Sequence, residues 1–257
     1  MPYPMLHKPG QALILRTCKA DLTSYEGFQW PASGPVSAPD WNPEVSCGLG
    51  LHGFSSGEGD GSLINWSHDA TWLVVAVDPA TLVNLRGKVK YPAGEVLDLP
   101  KDRVTATGYL REHCCGSRAI VGLIFIGGDN STITGGYGST IAGGDDSTIA
   151  GSYRSTITAG NDSTITGDNE LTITSGYRST ITSGHLSTIT AGYRSIITSG
   201  YCSTIVAGDG SIITAGDKSF FLFRNVPVIG FLAGQVGQNG LRPDVAYRVV
   251  NGVIVPA

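Results

Sequence analysis

The chain is short of charge. Asp, Glu, Lys and Arg make up 15% of its 257 residues, and the formal net charge is −4. No run of five Lys or Arg occurs, so no footprint for nucleic acid is visible. No apolar run approaches the length of a membrane span. The opening "MPYPMLHKPGQALILRTCKADL" lacks the basic stretch and long apolar stretch of a secretory signal. Cysteines number five, odd and irregularly spaced, which favours reduced thiols in a cytosolic setting over a disulfide framework.

What the chain has in excess is glycine, 36 residues of it, and most of the excess sits in one region. From Gly127 to Leu222 the sequence divides without insertion or deletion into twelve octads, beginning GGDNSTIT, GGYGSTIA, GGDDSTIA, GSYRSTIT. The excess is not a mark of disorder, because every octad carries a large apolar residue in register. A fixed short period is the signature of a repeat architecture.

Octad position seven is Ile eleven times and Phe221 once; position five is Ser except at Leu171; positions six and eight are mostly Thr. Alternation with period two, rich in β-branched residues, describes a short strand with Ile and Ser on one face and Thr on the other. Position two is Gly except at Ser152 and Asp168, which suggests a corner with positive φ. Position one is always Gly, Ala or Ser, as expected where the backbone crowds the interior.

One strand and one corner cannot close a coil, but two of each can, giving sixteen residues per turn. Position three reads Asp129, Tyr137, Asp145, Tyr153, so like residues recur every second octad. Position four would stack Asp146, Asp162, Arg178 and Arg194 on one edge, with opposite charges side by side. Twelve octads then form six coils, a β-solenoid about 29 Å long at the usual spacing of parallel strands.

"GGYGSTIAGGDDSTIA" (135–150) resembles the sixteen-residue unit of bacterial ice nucleation proteins, whose octads read like A-G-Y-G-S-T-Q-T and A-G-E-D-S-S-L-T. The resemblance covers 127 to about 222. It departs from the family pattern at position seven, where Ile replaces the central Gln, and in having only six coils. It implies exposed Thr-x-Thr rows that order water, and side-by-side assembly through a tyrosine-bearing edge.

Sorted onto two faces, the complete rungs on one are Thr156 with Thr158, Thr172 with Thr174, and Thr188 with Thr190. On the other they are Thr132 with Thr134, Thr164 with Thr166, and Thr180 with Thr182. These twelve residues are the candidate water- or ice-binding set. Thr is also simply a good strand former that keeps a sheet soluble, and Ile196, Val206 and Ile212 break the rows. Tyr137, Tyr153, Tyr177, Tyr193 and Tyr201 are the candidate self-association edge, or else a ladder that braces the corners. Asp129, Asp145, Asp146 and Asp162 lack the G-G-x-G-x-D pattern of calcium-binding repeats and suggest solvated corners.

Residues 1–118 suggest a small α+β domain. "QALILRTC", "WLVVAVD" and "TLVNLRGKVKYP" look like strands and "TATGYLREHCC" like a short helix. His52-Gly53 resembles the His-Gly start of ADP-ribosyltransferase-like folds, with Tyr91 and Glu95 as partners. No Walker-type glycine motif is present. Cys47, His52, His113, Cys114 and Cys115 have no paired C-x₂-C, so buried thiols are favoured over a zinc site. "AIVGLIFI" (119–126) suggests a buried first rung that seals the solenoid. The segment 223–257 suggests a β cap, with a hairpin at Asn251-Gly252.

The expected protein is mainly β: an α+β domain at 1–118, a six-coil solenoid at 119–222 and a cap at 223–257. The expected function is non-enzymatic, a water-organising or ice-binding solenoid of the ice-nucleation type that self-associates, without metal or cofactor and with ice or ordered water as its partner. The alternatives are a scaffold that displays or multimerises the first domain, and an ADP-ribosyltransferase-like activity within 1–118.

Overall fold

The computed structural model describes residues 3–114, 118–226 and 230–257, with Tyr25, Asn225 and Val226 described by backbone alone. The chain forms two compact units, Met1–Ile124 and Phe125–Ala257.

The first unit is a seven-stranded sheet with one helix. Its strands are β1 (Ala12–Cys18), β2 (Gly34–Ser37), β3 (Leu51–Ser55), β4 (Thr71–Val77), β5 (Val83–Asn84), β6 (Val89–Tyr91) and β7 (Ala93–Val96), in the order β2-β7-β4-β1-β3-β6-β5. The apolar run in β4 is buried along its whole length. The stretch expected as one strand, "TLVNLRGKVKYP", is the antiparallel pair β5–β6, turning at Arg86 and Gly87, both with positive φ. Helix α1 (Arg103–His113) starts where the Asp102 side chain accepts the Thr105 N–H at 2.8 Å, an N-cap that satisfies a free helical donor. Ile14, Trp30, Leu51, Leu73, Val75, Tyr91 and Val96 share one core cluster.

The second unit is the six-turn solenoid. Its strands alternate between two parallel sheets, odd octads (Thr132–Gly135 onward) in one and even octads (Thr140–Ala142 onward) in the other. Register is constant at sixteen residues: Thr140 lies against Thr156, then Thr172 and Thr188. Ile at position seven points inward throughout, from Ile133 at 2% exposed to Ile213 at 0%. Burying each such side chain contributes about 1.5–3 kcal/mol, so this column dominates cohesion.

The corners have two regularities. All twelve position-four residues have positive φ, including Asp146, Arg154, Glu170, Leu186, Arg194, Cys202 and Lys218. The left-handed residue is therefore at position four, not at the glycine-rich position two as the sequence suggested. From Asn130 to Cys202 each position-four N–H donates to the position-three carbonyl one coil on, as Arg178 does to Tyr193 at 2.8 Å and Arg194 to Asp209 at 3.0 Å. Glycine at position two answers a different demand, close approach. Its N–H donates to the position-two carbonyl of the preceding coil, as Gly192 does to Gly176 at 3.1 Å. A Cβ on Gly192 would stand 2.7 Å from that backbone. Ser152, Asp168 and Gly216 differ, their N–H groups reaching the position-one carbonyls of Gly135, Gly151 and Ser199 instead.

The serine column forms an internal ladder. Ser179 N–H donates to Ser195 Oγ at 3.3 Å, Ser195 N–H to Ser211 Oγ at 3.1 Å, and Ser203 N–H to Ser219 Oγ at 3.0 Å. Their hydroxyls in turn donate to corner carbonyls, as Ser219 does to Gly200 at 3.0 Å. Buried polar groups are costly unless paired, and this ladder pairs them. Leu171 takes the serine place in one coil and lies buried beside Ile173, both 1% exposed.

The run 119–126 is not a single buried rung. Ile120, Val121 and Leu123 are buried in the first unit, while the strand Ile124–Ile126 opens the even sheet and leaves Ile126 80% exposed. At the far end both sheets close with antiparallel strands. Gly230–Gln235 runs along Phe220–Val226, and Ala246–Val250 along Ile212–Ala215 before turning back as Val253–Pro256. That hairpin turns at Asn251 and Gly252, both with positive φ, as a tight two-residue turn requires. Residues 227–229 of the expected cap lie outside the described residues.

Gly192→Ala should lower the melting temperature of the solenoid clearly, because only backbone can yield to the new methyl. Gly128→Ala, where nothing stands within 4 Å of the added carbon, should melt within about 1 °C of the parent. Comparable melting of the two by circular dichroism would refute the close-approach account of position two.

Candidate functional site

The candidate site is built from the outward residues of octad positions six and eight. On the even face Thr156, Thr158, Thr172, Thr174, Thr188 and Thr190 occupy three consecutive strands, and all but the half-buried Thr190 are exposed. The odd face is less regular. There Thr164 and Thr166 form one exposed rung, and Thr180 and Thr182 form the next. Thr132 and Thr134 are separated from them by the rung of Thr148 and Ala150, and Thr134 is half-buried.

The three complete odd-face rungs are, as their order in the sequence implies, not contiguous. Thr166 lies against Ala150 on one side and Thr182 on the other, so its row of hydroxyls stops there. Thr182 continues that row to Thr198, but the partner of Thr180 in the same strand is Ile196, which breaks the rung. Thr166 and Thr182 thus belong to a face with two adjacent complete rungs.

Parallel strands in constant register place like atoms about 4.8 Å apart across the sheet and about 6.6 Å apart along a rung. Thr has a stiff χ1, so the spacing of hydroxyls and methyls is set before any contact is made. Val206 and the rung of Phe220 and Leu222 end the even face, and Ile196 and Ile212 end the odd one.

The two corners divide the tyrosines. Tyr137, Tyr153 and Tyr201 belong to even octads, and Tyr177 and Tyr193 to odd ones, so the five lie on two corners and not on one edge. Tyr137 and Tyr153 pack with ring centroids 5.3 Å apart. Tyr177, Tyr193 and Tyr201 are the more exposed, at 42%, 48% and 40%. Position three has a structural task as well: Asp129 Oδ1 accepts the Asp145 N–H at 2.9 Å, Asp145 Oδ1 the Asn161 N–H at 2.7 Å, and Asn161 Oδ1 the Tyr177 N–H at 3.0 Å. On the other corner Asn169 Oδ1 and His185 Nδ1 do the same for His185 and Tyr201. Asp129 and Asp145 are thus occupied as acceptors for backbone.

Charges at position four pair along the corners. Arg178 meets Asp162 at 2.8 Å and lies over the Tyr177 ring at 4.9 Å; Arg154 meets Glu170 at 2.8 Å and lies over Tyr153 at 5.2 Å. The Tyr153 hydroxyl donates to Glu170, which together with Arg154 holds that carboxyl below its usual range. Such exposed pairs order side chains more than they stabilise the fold.

The serine ladder, the left-handed position four and the position-three acceptors were not recognised from the sequence. The near-invariance of Ser and the recurrence of Asp, Asn and His at position three were the available signals.

In the first unit, His52 on β3 faces Lys90 on β6. Burial, with the charges of Lys88, Arg16 and Lys90, lowers the His52 imidazole to about 4. Tyr91 is fully buried and its hydroxyl has no partner. Glu95 is exposed on β7, separated from β3 in the sheet by β4 and β1. The structure does not bring His52, Tyr91 and Glu95 together. Of the thiol and imidazole candidates, Cys47 is exposed with Lys88 Nζ donating to its sulfur at 3.0 Å, and His113 meets the Tyr3 carbonyl at 3.2 Å. Among the described residues no group of His, Cys, Asp and Glu converges as a metal centre, and Cys115 lies outside them.

Sixteen-residue coils, an inward Ile column and outward Thr rungs define a parallel β-solenoid. Part of the chain is similar in sequence to curated ice nucleation proteins. The chain is 32% identical over 108 residues to an ice nucleation protein of Pseudomonas fluorescens, 34% over 102 to one of Pseudomonas syringae, and 36% over 92 to ice nucleation protein InaU of Pantoea ananas. These matches cover 41%, 39% and 35% of the chain, the extent of its repeat region. Each covers 9% of the relative, so the chain spans about a tenth of the length of these curated proteins. No family model matches the chain, and no solved structure does. Among the described residues no helix is long and apolar enough to cross a membrane.

The lowered His52 value has a stability consequence. The unfolded chain takes up a proton near the ordinary pKa of 6.5 and the folded chain only near 4. Stability of the first unit should therefore fall as pH drops from about 6.5 to about 4, then level off. All four tryptophans lie at positions 30, 41, 66 and 72, so tryptophan fluorescence during denaturation reads this unit. His52→Gln should flatten the dependence across that window; an unchanged slope would contradict the assignment.

Proposed function

We propose that the solenoid binds ice through its even face, where Thr156, Thr158, Thr172, Thr174, Thr188 and Thr190 order a layer of water. The observation that carries this reading is the unbroken run of three complete rungs in constant register. The interaction is summed over a surface, so regular spacing matters more than any one hydroxyl. The relatives named above, described as ice nucleation proteins, support the reading. The odd face, with two adjacent complete rungs, is the weaker surface. Thr132, Thr134, Thr164, Thr166, Thr180 and Thr182 are accordingly left out of the principal binding set.

A bulky charge in the middle of the array should do disproportionate harm. Thr172→Lys should abolish ice-crystal shaping and any shift in droplet freezing temperature, whereas Thr164→Lys with Thr180→Lys on the odd face should leave most of the effect. Each site is solvent-facing, so each change should cost within about 0.5 kcal/mol of stability. A parent chain that neither shapes ice nor alters freezing would end the proposal.

The odd corner serves as a self-association seam. Tyr177 and Tyr193 lie on adjacent coils, are nearly half exposed, and stand beside the arginines Arg178 and Arg194. Side-by-side pairing would widen the array of ordered water without lengthening the stack. Tyr177→Ser with Tyr193→Ser should move sedimentation toward monomer while the far-ultraviolet spectrum stays the same. A parent that sediments as monomer at high concentration would refute the seam.

A further inference from the structure

The first unit has a cavity that the solenoid's chemistry does not use. It encloses about 530 Å³ and is lined by Arg16, Phe28, Trp30, Leu49 and His52, with Glu26 and Asp40 at exposed positions on its wall. That volume is in the usual range for small-molecule sites, which are mostly apolar with a few placed polar groups.

Its polar equipment is unbalanced. Arg16 projects from the middle of β1, the central region of the sheet, and is half-buried. One of its terminal nitrogens donates to the His52 carbonyl at 3.3 Å, and its guanidinium lies 5.5 Å from the centre of the Trp30 ring. Its Nε is buried without a partner, and among the described residues no carboxylate lies within ion-pair distance of it. The His52 side chain, opposite Thr17 in the β1–β3 register, lies on the other face of the sheet, and only its backbone carbonyl meets Arg16. Lys90, fully buried beneath, is held by the Ser46 and Gly48 carbonyls at 3.0 and 3.5 Å. An unpaired cation withdrawn from water is costly, and a guanidinium is shaped to hold a carboxylate or phosphate through two parallel hydrogen bonds.

We propose that this cavity binds a small organic carboxylate, its head on the Arg16 guanidinium and its apolar body against Trp30 and Phe28. The rim carboxylates Glu26 and Asp40 select against more highly charged anions, so a phosphate ester is the poorer ligand. Nothing in this proposal depends on the Thr faces.

Calorimetric titration of the full chain with phenylacetate, phenyl phosphate and the neutral phenylacetamide tests it. Phenylacetate should bind saturably, at least tenfold tighter than phenylacetamide and tighter than phenyl phosphate. Arg16→Met should weaken phenylacetate at least tenfold. Because that variant can fail to fold, Asp40→Asn supplies an independent reading: it should bring phenyl phosphate closer to phenylacetate in affinity. The proposal is overturned if neither anion binds saturably, if phenylacetamide matches phenylacetate, if phenyl phosphate binds tighter than phenylacetate, or if folded Arg16→Met retains the parent affinity.

Discussion

Everything in the solenoid depends on one coil lying directly over the next. The position-two peptides hydrogen-bond to one another up the stack, as in Gly192 to Gly176 and Gly208 to Gly192, both at 3.1 Å. They can do so only if no side chain intervenes. Given that contact, the remaining positions follow without further instruction. Ile falls over Ile, Ser over Ser, and Thr over Thr. A stack with a drifting register would bury Ile poorly and scatter the hydroxyls. A constraint on backbone at the corner thus decides the chemistry of the faces.

The corner and the face divide the work between them. Faces carry an uncharged, repetitive pattern, and corners carry what charge and aromatic surface the repeat region has. Arg154 and Glu170, or Asp162 and Arg178, vary along the stack because a position-four side chain points to solvent and answers to little beyond its neighbour. That position is held in a left-handed conformation by the hydrogen bond to the next coil, so residues as different as Arg154, Leu186 and Cys202 adopt it. The conformational cost of such residues, about 1–2 kcal/mol each, is offset by the bonds that surround them.

The period, the inward Ile and Ser, the pairing of octads into coils and the hairpin at Asn251-Gly252 were all legible, because each expresses a local pattern repeated many times or a dipeptide with one preferred geometry. The sites of strain were not. Glycine at position two was read as a dihedral requirement, when the limit is imposed by a backbone sixteen residues earlier, a distance at which sequence gives no hint of contact. The tyrosines were read as one edge because alternation by octad, not similarity of residue, determines the corner. Thr166 and Thr182 were legible as outward residues, and so were the interruptions at Ala150 and Ile196, because the sixteen-residue period already sets each rung against its neighbours. In the first unit the strands of β1 and β4 were plain from their apolar runs, but the cavity was not. Arg16 is an ordinary residue in "LILRTC" until pairing of β1 with β3 brings the His52 carbonyl to it and the segment before β2 sets the Trp30 ring beside its guanidinium.

The two faces differ in content, and the chain assigns them by parity. Octads of odd rank build one sheet and octads of even rank the other. Loss or gain of a single octad would keep every bond of the frame yet exchange the faces for all coils beyond it, joining Thr rows to the rows that now end in Ile196 and Ile212. Loss or gain of two octads would leave both faces intact. A gene that lengthens or shortens such an array therefore conserves its surfaces only when it moves in steps of sixteen codons, and unequal recombination between neighbouring single octads is the event against which the pattern has no defence.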